Sequence, residues 1–268
     1  MSALTLNLRL TAAGRVDMRG ILPEKLAGLS ADAIARLPLM LDGRARALGE
    51  LFEVTRGDAA HLVIRAETDR LDNLGAEMAG GRITVEGPAG AYAGLDMRGG
   101  EIVLRGGAGD FAACGMKGGL LRIEGRVGDC LGAARTGERN GMSGGVVAVS
   151  GSVGARAGDR MRRGLILIRG NVGDYCGSRM LAGSIVVAGA CGALPGFGLR
   201  RGSLILSRIP QSIPATFNDS GVAELSWLKL LRRHAEDILP GVAPDTARVR
   251  RYMGDLTFGG KGEILVPL

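Results

Sequence analysis

The sequence predicts an all-β protein, a parallel β-helix in which about seven 19-residue coils form a solenoid with a cap at each end. Three observations predict it. A Gly recurs at intervals of 19 residues through most of the chain, and a short aliphatic run follows each of these Gly residues. Gly supplies 46 of the 268 residues, whereas aromatic residues make up 3% against 46% hydrophobic residues. Such a composition indicates a core of stacked aliphatic side chains with many tight bends.

The repeat itself occupies six consecutive segments. The unit is apolar-x-apolar-x-Gly-x-x-Gly-x-x-x-Gly-x-x-Met-x-x-Gly, with minor departures. Repeats of packed helix pairs need about 30 residues or more, so a single short strand with Gly corners is the unit that fits this period. The segments are 82–100, 101–119, 120–145, 146–164, 165–183 and 184–202, with a degenerate copy at about 57–81.

Stacked coils would align equivalent residues in columns that run along the solenoid. Alternate strand residues share a face, so two aliphatic columns are expected inside. A third, small apolar column and a Met column complete the expected core, since one Met per coil fills space more readily than it binds a metal. The columns are Ile83, Ile102, Leu121, Val147, Ile166, Ile185, Leu204; Val85, Leu104, Ile123, Val149, Ile168, Val187, Leu206; Ala89, Ala108, Val127, Val153, Val172, Cys191; and Met78, Met97, Met116, Met142, Met161, Met180, Leu199.

The two ends of the chain do not repeat. Residues 1–56 predict an N-terminal cap, with a strand over 4–10 and a helix over 31–37 that Ser30 caps and Pro38 stops. Residues 57–207 form the predicted β-helix domain. Residues 208–268 predict a C-terminal cap, in which a helix over 221–239 covers the last coil and hides its edge, followed by strands and turns from 248.

Charge and composition exclude several classes of protein. The net charge of +7 favours acidic partners or anionic substrates without selecting among them. Few aromatic residues and no recognition motif argue against nucleic acid as a partner. With no long apolar segment and no signal peptide at the start, we expect a cytoplasmic protein without a membrane partner. No CxxC pair occurs, so the Cys residues are expected to be small core residues: Cys114, Cys130, Cys176 and Cys191.

A basic strip is predicted along one edge of the solenoid. Positions between the Met and the last Gly of several coils carry basic residues, and stacking would align them. The strip has two interpretations, a docking surface for an acidic subunit or polyanionic cofactor, and a solvated edge that keeps the protein soluble. Both stay open at this point. The residues of the strip are Arg98, Lys117, Arg162, Arg163, Arg200 and Arg201.

The longer third coil carries seven extra residues within 133–140. Insertions in solenoids emerge as loops on one face, which serve as contact surfaces or are merely tolerated, and both interpretations stay open.

Candidate catalytic groups are few. Asp110, Asp129 and Asp174 each follow a corner Gly, where an Asp is expected to bond the local backbone. The two His residues, His61 and His234, lie far apart in the predicted solenoid, and no hydrolase or phosphate-loop motif occurs. The sequence therefore predicts no catalytic residue and no metal site.

Motifs in and beside the repeat resemble a known family. They resemble the C subunits of formylmethanofuran dehydrogenase and of the bacterial formyltransferase/hydrolase complex. That group is similar to the wider GXGXG β-helix family, which includes the C-terminal domain of glutamate synthase. The resemblance covers nearly the whole chain and implies a right-handed β-helix. The segments that carry it are 49–54, 74–78, 140–145, 251–256 and 260–264.

The resemblance implies that the chain is a non-catalytic scaffold subunit that binds no cofactor directly. Whether such a subunit counts as an enzyme stays open. Its implied partners are hydrolase and formyltransferase subunits. These move a formyl group from tetrahydromethanopterin to a methanofuran analogue and hydrolyse it to formate. The Arg-rich composition favours this bacterial complex. The alternatives are the C subunit of a CO₂-reducing formylmethanofuran dehydrogenase and a stand-alone basic binding module. In one hypothesis, the basic strip steers the polyglutamate arm of the furan cofactor.

Overall fold

The N-terminal segment contributes short elements to two sheets. The structure is a computed structural model that describes residues 2–9 and 14–268. The strand predicted over 4–10 is confirmed as β1, although Leu10 lies outside the described residues. The Ser30 hydroxyl accepts a hydrogen bond from the Ala33 N–H at 3.2 Å, as predicted, and the helix it caps ends at Ala35. The elements are β1 (Ala3–Leu8), β2 (Val16–Asp17), α1 (Pro23–Leu26), α2 (Ala31–Ala35), β3 (Pro38–Leu41), β4 (Arg44–Ala47), α3 (Leu48–Leu51) and β5 (Phe52–Thr55).

The repeats form the parallel part of a large sheet. Each repeat strand pairs in parallel with the strand of the next repeat, so each unit returns the chain to the same sheet one layer further on. Leu121, for example, pairs with Ile102 on one side and Val147 on the other. A second line of parallel bridges joins the small apolar column from Ala89 to Cys191. Strand β7 (Leu71–Asp72) lies instead in the smaller sheet, where it pairs in parallel with β2. The strands of the large sheet are β6 (Asp58–Arg65), β8 (Arg82–Glu86), β9 (Glu101–Leu104), β10 (Leu120–Ile123), β11 (Ser143–Val149), β12 (Arg163–Ile168), β13 (Ser184–Val187) and β14 (Arg201–Leu206).

All four predicted columns lie in the core. The members of the two strand columns and of the Met column are at most 1% exposed, and in the small apolar column only Ala108 is half-buried. The strand columns also continue beyond the repeats, because Leu4 and Leu6 pair with Leu62 and Ile64. The domain boundaries at 56 and 208 stay predictions, and the core packing is continuous across both.

The insertion is a loop that closes on itself. The Met142 N–H donates to the Gly132 carbonyl at 2.8 Å, which joins the two ends of the loop. The Ser143 N–H then donates to the Met116 carbonyl at 2.7 Å, so the chain rejoins the register of the preceding coil. The extra residues therefore project at one corner without disturbing the stack.

The C-terminal segment corrects two predictions. The edge of β14 is covered by a parallel strand, β17, and not by a helix, with Leu204 paired to Ile264. The helix begins at Trp227, because residues 221–224 belong to β15, which pairs antiparallel with β16, and Gly221 has a left-handed φ of 77°. The elements are β15 (Asn218–Glu224), α4 (Trp227–Ile238), β16 (Arg248–Gly254), a 3₁₀ turn (Leu256–Phe258) and β17 (Lys261–Pro267).

The complete architecture is mostly β and not all-β, since the described residues include four α-helices. The large sheet is mixed, because it is parallel through the repeats and antiparallel at both ends. Helix α4 lies on the outer face of the later repeat strands, where Leu228 and Ala235 pack with Leu167 and Val186.

Candidate functional site

The predicted basic strip is stacked in register but interrupted. The backbone N–H groups of Arg98, Lys117, Arg162 and Arg200 each donate to the Met carbonyl of the preceding coil, at 2.7–2.9 Å. Ser143 and Leu181 occupy the same register position in two other coils. The structure therefore brings the six residues to one corner, in separate groups and not as a continuous row.

The two ends of the strip differ in their ion pairing. Arg98 lies 3.8 Å from a Glu77 carboxylate oxygen, and Lys117 lies 3.3 Å from Asp96. In the described part of the chain, the four later members of the strip form no ion pair, and all are exposed. Within the strip, the described residues thus leave positive charge uncompensated in the later coils, at Arg162, Arg163, Arg200 and Arg201.

A second column, which was not predicted from the sequence, lies one residue before the Met of each coil, or before Leu199 in the last, except in the coil that carries the insertion. Its members adopt the left-handed backbone conformation, with φ between 51° and 70°. Residues other than Gly adopt this conformation uncommonly. Its charged members are acidic before the insertion and basic after it. Its members are Glu77, Asp96, Gly115, Arg160, Arg179 and Gly198. The sequence signal that could have revealed this column is the charge of the residue that precedes Met in the repeats.

The basic residues after the insertion line a groove of about 440 Å³, which we term the arginine groove. Arg179 is held by a bidentate pair with buried Asp159, at 2.8 and 2.6 Å. Arg160 donates to the Glu138 carbonyl at 2.9 Å, which ties it to the insertion loop. The groove is lined by Arg139, Asn140, Arg160, Arg179, Leu181, Gly198, Arg200 and Phe258.

Asp255 positions one wall of the groove. Its buried carboxylate accepts hydrogen bonds from the N–H groups of Gly198 and Thr257, at 3.1 and 3.0 Å. Burial acts to raise the pKa of Asp255, but the hydrogen bonds, with Thr257 the strongest, hold it below its usual range. The carboxylate thereby fixes the 3₁₀ turn that carries the half-exposed Phe258 ring.

The corner aspartates have a structural role, with one correction. Asp110, Asp129 and Asp174 do bond backbone, but each accepts the N–H of a residue in the next coil and not a local one. The distances are 2.8 Å to the Asp129 N–H, 2.7 Å to Ala155 and 2.7 Å to Ala193. These carboxylates join successive layers.

The Cys and His residues lie apart from the groove. Cys114, Cys176 and Cys191 are buried, as expected, whereas Cys130 is half-buried, and all four are free thiols. His61 contacts the Thr84 hydroxyl at 3.0 Å, and His234 is exposed on α4. Within residues 2–9 and 14–268, no group of three or more His, Cys, Asp or Glu could hold a metal ion.

The helices of the described segments are either short or amphipathic. None of them has the length and apolar character that crossing a bilayer requires.

The fold and the site together define a mostly β protein of stacked parallel coils that carries a basic surface at one corner. Its similarity to a solved structure extends over nearly the whole chain. The matching chain is from the X-ray crystal structure of the formyltransferase/hydrolase complex (FhcABCD) from Methylorubrum extorquens in complex with methylofuran. The TM-score is 0.91 at 39% identity, over 98% of this chain and 99% of that chain.

Curated relatives match over shorter stretches. The Fhc C subunit of the formyltransferase/hydrolase complex of Methylorubrum extorquens is 40% identical over 86 residues, 32% of each chain. The C subunit of tungsten-containing formylmethanofuran dehydrogenase 2 of Methanococcus maripaludis is 32% identical over 94 residues, 34% of this chain and 35% of the relative. The chain thus spans about a third of the length of these curated relatives. No protein-family model matches it.

The chain belongs to the family formed by the C subunits of formyltransferase/hydrolase and formylmethanofuran dehydrogenase complexes. The resemblance found in the sequence is thereby confirmed for this family. The wider grouping with the GXGXG proteins and glutamate synthase stays a prediction.

Proposed function

We propose that the chain is the non-catalytic scaffold subunit of a formyltransferase/hydrolase complex in one-carbon metabolism. It would join the subunits that transfer a formyl group from tetrahydromethanopterin to a methanofuran analogue and those that hydrolyse it to formate. The observation that carries the proposal is the similarity, from end to end, to a chain of the FhcABCD complex. In this proposal, the partner subunits use tetrahydromethanopterin and the methanofuran analogue.

The bacterial complex is favoured over a CO₂-reducing formylmethanofuran dehydrogenase. Identity is 40% to the bacterial relative and 32% to the archaeal relative over segments of similar length. The Arg-rich composition points the same way. A cytoplasmic location stays a prediction.

We also propose the handedness of the coil. Parallel strands of one sheet that are joined by crossover connections are right-handed in about 98% of cases. Strands β6 and β8 to β14 pair in this way within one sheet, which supports a right-handed parallel β-helix over 57–207 between the two caps.

The exposed surface suits a scaffold. In our proposal, the unpaired members of the strip face an acidic surface of a partner or the polyglutamate arm of the furan cofactor. Replacing Arg162 and Arg163 by Ala should weaken turnover of the assembled complex most at low salt, where exposed charges interact over longer distances. The matched control is Arg65→Ala with Arg105→Ala, which removes two exposed positive charges at the ends of β6 and β9. Unchanged turnover and salt dependence in an intact complex would remove this role of the strip.

The scaffold role itself is tested by co-purification. The tagged chain is expressed with the hydrolase and formyltransferase subunits of its source organism. We expect one stable assembly, with formate release by the assembly and none by the isolated chain. Formate release by this chain alone, or failure of the three to associate, would contradict the proposal. In the second case, a stand-alone basic binding module becomes the better interpretation.

A further inference from the structure

We propose that the arginine groove is a binding site for a group that carries two or more closely spaced carboxylates. The proposal rests on the proposed role of the strip, to which Arg200 belongs, and deepens it by assigning a defined ligand site to this chain, so that it can fail while the scaffold role stands. The groove combines four arginines from the insertion loop and three later coils. No local motif connects these residues, since the loop and the corner column meet only in the folded chain.

The charge of the groove is not balanced from within. Arg179 has the Asp159 carboxylate as a partner, whereas the Arg160 guanidinium donates to a neutral carbonyl oxygen, that of Glu138. In the part of the chain that the structure describes, Arg139 and Arg200 have no acidic partner, and both are exposed. A guanidinium presents a planar fork of N–H donors that matches the two oxygens of a carboxylate. Several forks in one groove therefore favour a ligand with several carboxylates.

The groove is also held in shape. Arg160 and Arg179 adopt left-handed φ values of 55° and 53°, where Gly115 and Gly198 occupy the same column in other coils. Gly would relieve the strain, so the presence of Arg at these two positions indicates a role for the side chain. A Cβ at Gly198 would lie 3.2 Å from the Arg179 Cγ, so Gly198 leaves room for the Arg179 stem. Fixed donors reduce the entropy that is lost on binding.

The volume of the groove and the residues that line it further restrict the kind of ligand that it can bind. A volume of about 440 Å³ exceeds what one inorganic phosphate fills and lies within the range of small-molecule sites. Leu181 and Phe258 offer apolar surface between the charges, which suits the aliphatic part of a polycarboxylate. Two sources share this chemistry, a free di- or tricarboxylate and an acidic stretch of a longer chain.

The test is calorimetric titration of the full chain with four probes: the dipeptide glutamyl-glutamate, long poly-L-glutamate, glutaminyl-glutamine and inorganic phosphate. We expect both carboxylate probes to bind and the other two to bind at least about tenfold more weakly. Tighter binding of the polymer than of the dipeptide assigns the site to a longer chain, and comparable binding assigns it to a free ligand. Either result supports a carboxylate site.

Two variants locate the binding. Arg139→Ala with Arg200→Ala should raise the Kd for the dipeptide about tenfold or more, because two charged hydrogen-bond donors are removed. Arg139→Lys with Arg200→Lys keeps the charge but removes the forks, and should recover only part of the affinity. The matched control is Arg65→Ala with Arg105→Ala, which carries the same loss of charge outside the groove. An unchanged Kd in the double Ala variant, equal affinity for phosphate, or no binding of either carboxylate probe would overturn the proposal.

Discussion

The repeat strands before the insertion and those after it share one interior and differ in their outer faces. Before the insertion, the outward positions carry alternating charges from coil to coil. Arg65 pairs with Glu86 at 2.7 Å, and Glu101 lies between Arg82 and Arg122, at 3.5 and 3.2 Å. After the insertion, the register position that holds Arg122 is occupied by aliphatic residues, which pack in a buried cluster with α4: Ala148, Leu167, Val186 and Ile205.

The same division occurs at the corner beside the Met column. The earlier coils place Ala76, Leu95 and Cys114 in a small apolar cluster. The later coils place Asp159 and Ser178 there, joined by a 2.6 Å hydrogen bond and linked to Arg179. A regular interior therefore sets only how the coils stack, and the outward residues of each coil decide what can cover it or bind to it.

The largest loss of stability is expected in the interior, which is the same before and after the insertion. Ile102→Ala and Ile166→Ala each remove a side chain that is 0% exposed, so each should reduce the free energy of unfolding by about 2–5 kcal/mol. Urea denaturation followed by circular dichroism measures both. A much smaller loss at one of the two sites would show that the interior is not equivalent on the two sides of the insertion.

The next largest loss of stability distinguishes the outer face that α4 covers from the solvated outer face. Leu167→Ala opens a gap beneath α4 and should cost about 2–3 kcal/mol, near the lower end of the range for a buried Leu because the helix can settle. Glu86→Ala removes only an exposed partner of Arg65 and should cost less than about 1 kcal/mol. Equal losses in urea denaturation would remove the distinction between the covered face and the solvated one.

The apolar corner cluster predicts a loss of stability at alkaline pH. Burial raises the pKa of the Cys114 thiol from 9.0 to about 12. The unfolded chain releases this proton at lower pH than the folded chain does, so stability falls as pH rises from about 9 to 12. At pH 10.5 the loss from this group is about 2 kcal/mol, at about 1.36 kcal/mol per pH unit.

Cys114→Ala is the control for this prediction, because it removes the titrating group from an otherwise apolar cluster. We expect its urea midpoint to fall less between pH 8 and pH 10.5 than that of the parent chain. The same fall in both chains would assign the alkaline sensitivity to other groups.

A smaller loss of stability is expected where α4 is attached to the repeat strands. Arg169 donates to the Pro240 carbonyl at 2.7 Å, and Arg122 donates to the Ile238 carbonyl, so two cations meet the C-terminal end of the helix. Arg169→Ala should cost about 1 kcal/mol, since a cation and a hydrogen bond are both lost from a helix terminus. Hydrogen exchange of α4 amides should accelerate while the amides of β12 keep their protection. Unchanged exchange in α4 would show that packing alone holds the helix.

Much of the fold could be predicted from the sequence because the repeat has a fixed period. Once Ile102 is equivalent to Leu121 and Val147, their pairing follows from parallel stacking. The C-terminal elements were harder to predict, since residues 221–224 have helical spacing of apolar residues but find a partner strand in β16, more than 20 residues away. A partner so distant in the sequence leaves no local signal.

The candidate site was predicted only in part. The strip residues were found because they share one slot of the repeat, but their ion pairing depends on Glu77 and Asp96 in neighbouring coils. The arginine groove depends on still more distant segments, because Phe258 reaches it through a turn held by Asp255.

The sequence by itself determined the stack, because a 19-residue period of Gly and aliphatic residues permits one side of every coil to be buried in the same way. Only the tertiary structure decided which outward residues are covered, which charges are neutralised and where arginines converge. Those outcomes depend on contacts between segments far apart in the chain, and such contacts have no fixed spacing that a periodic pattern could reveal.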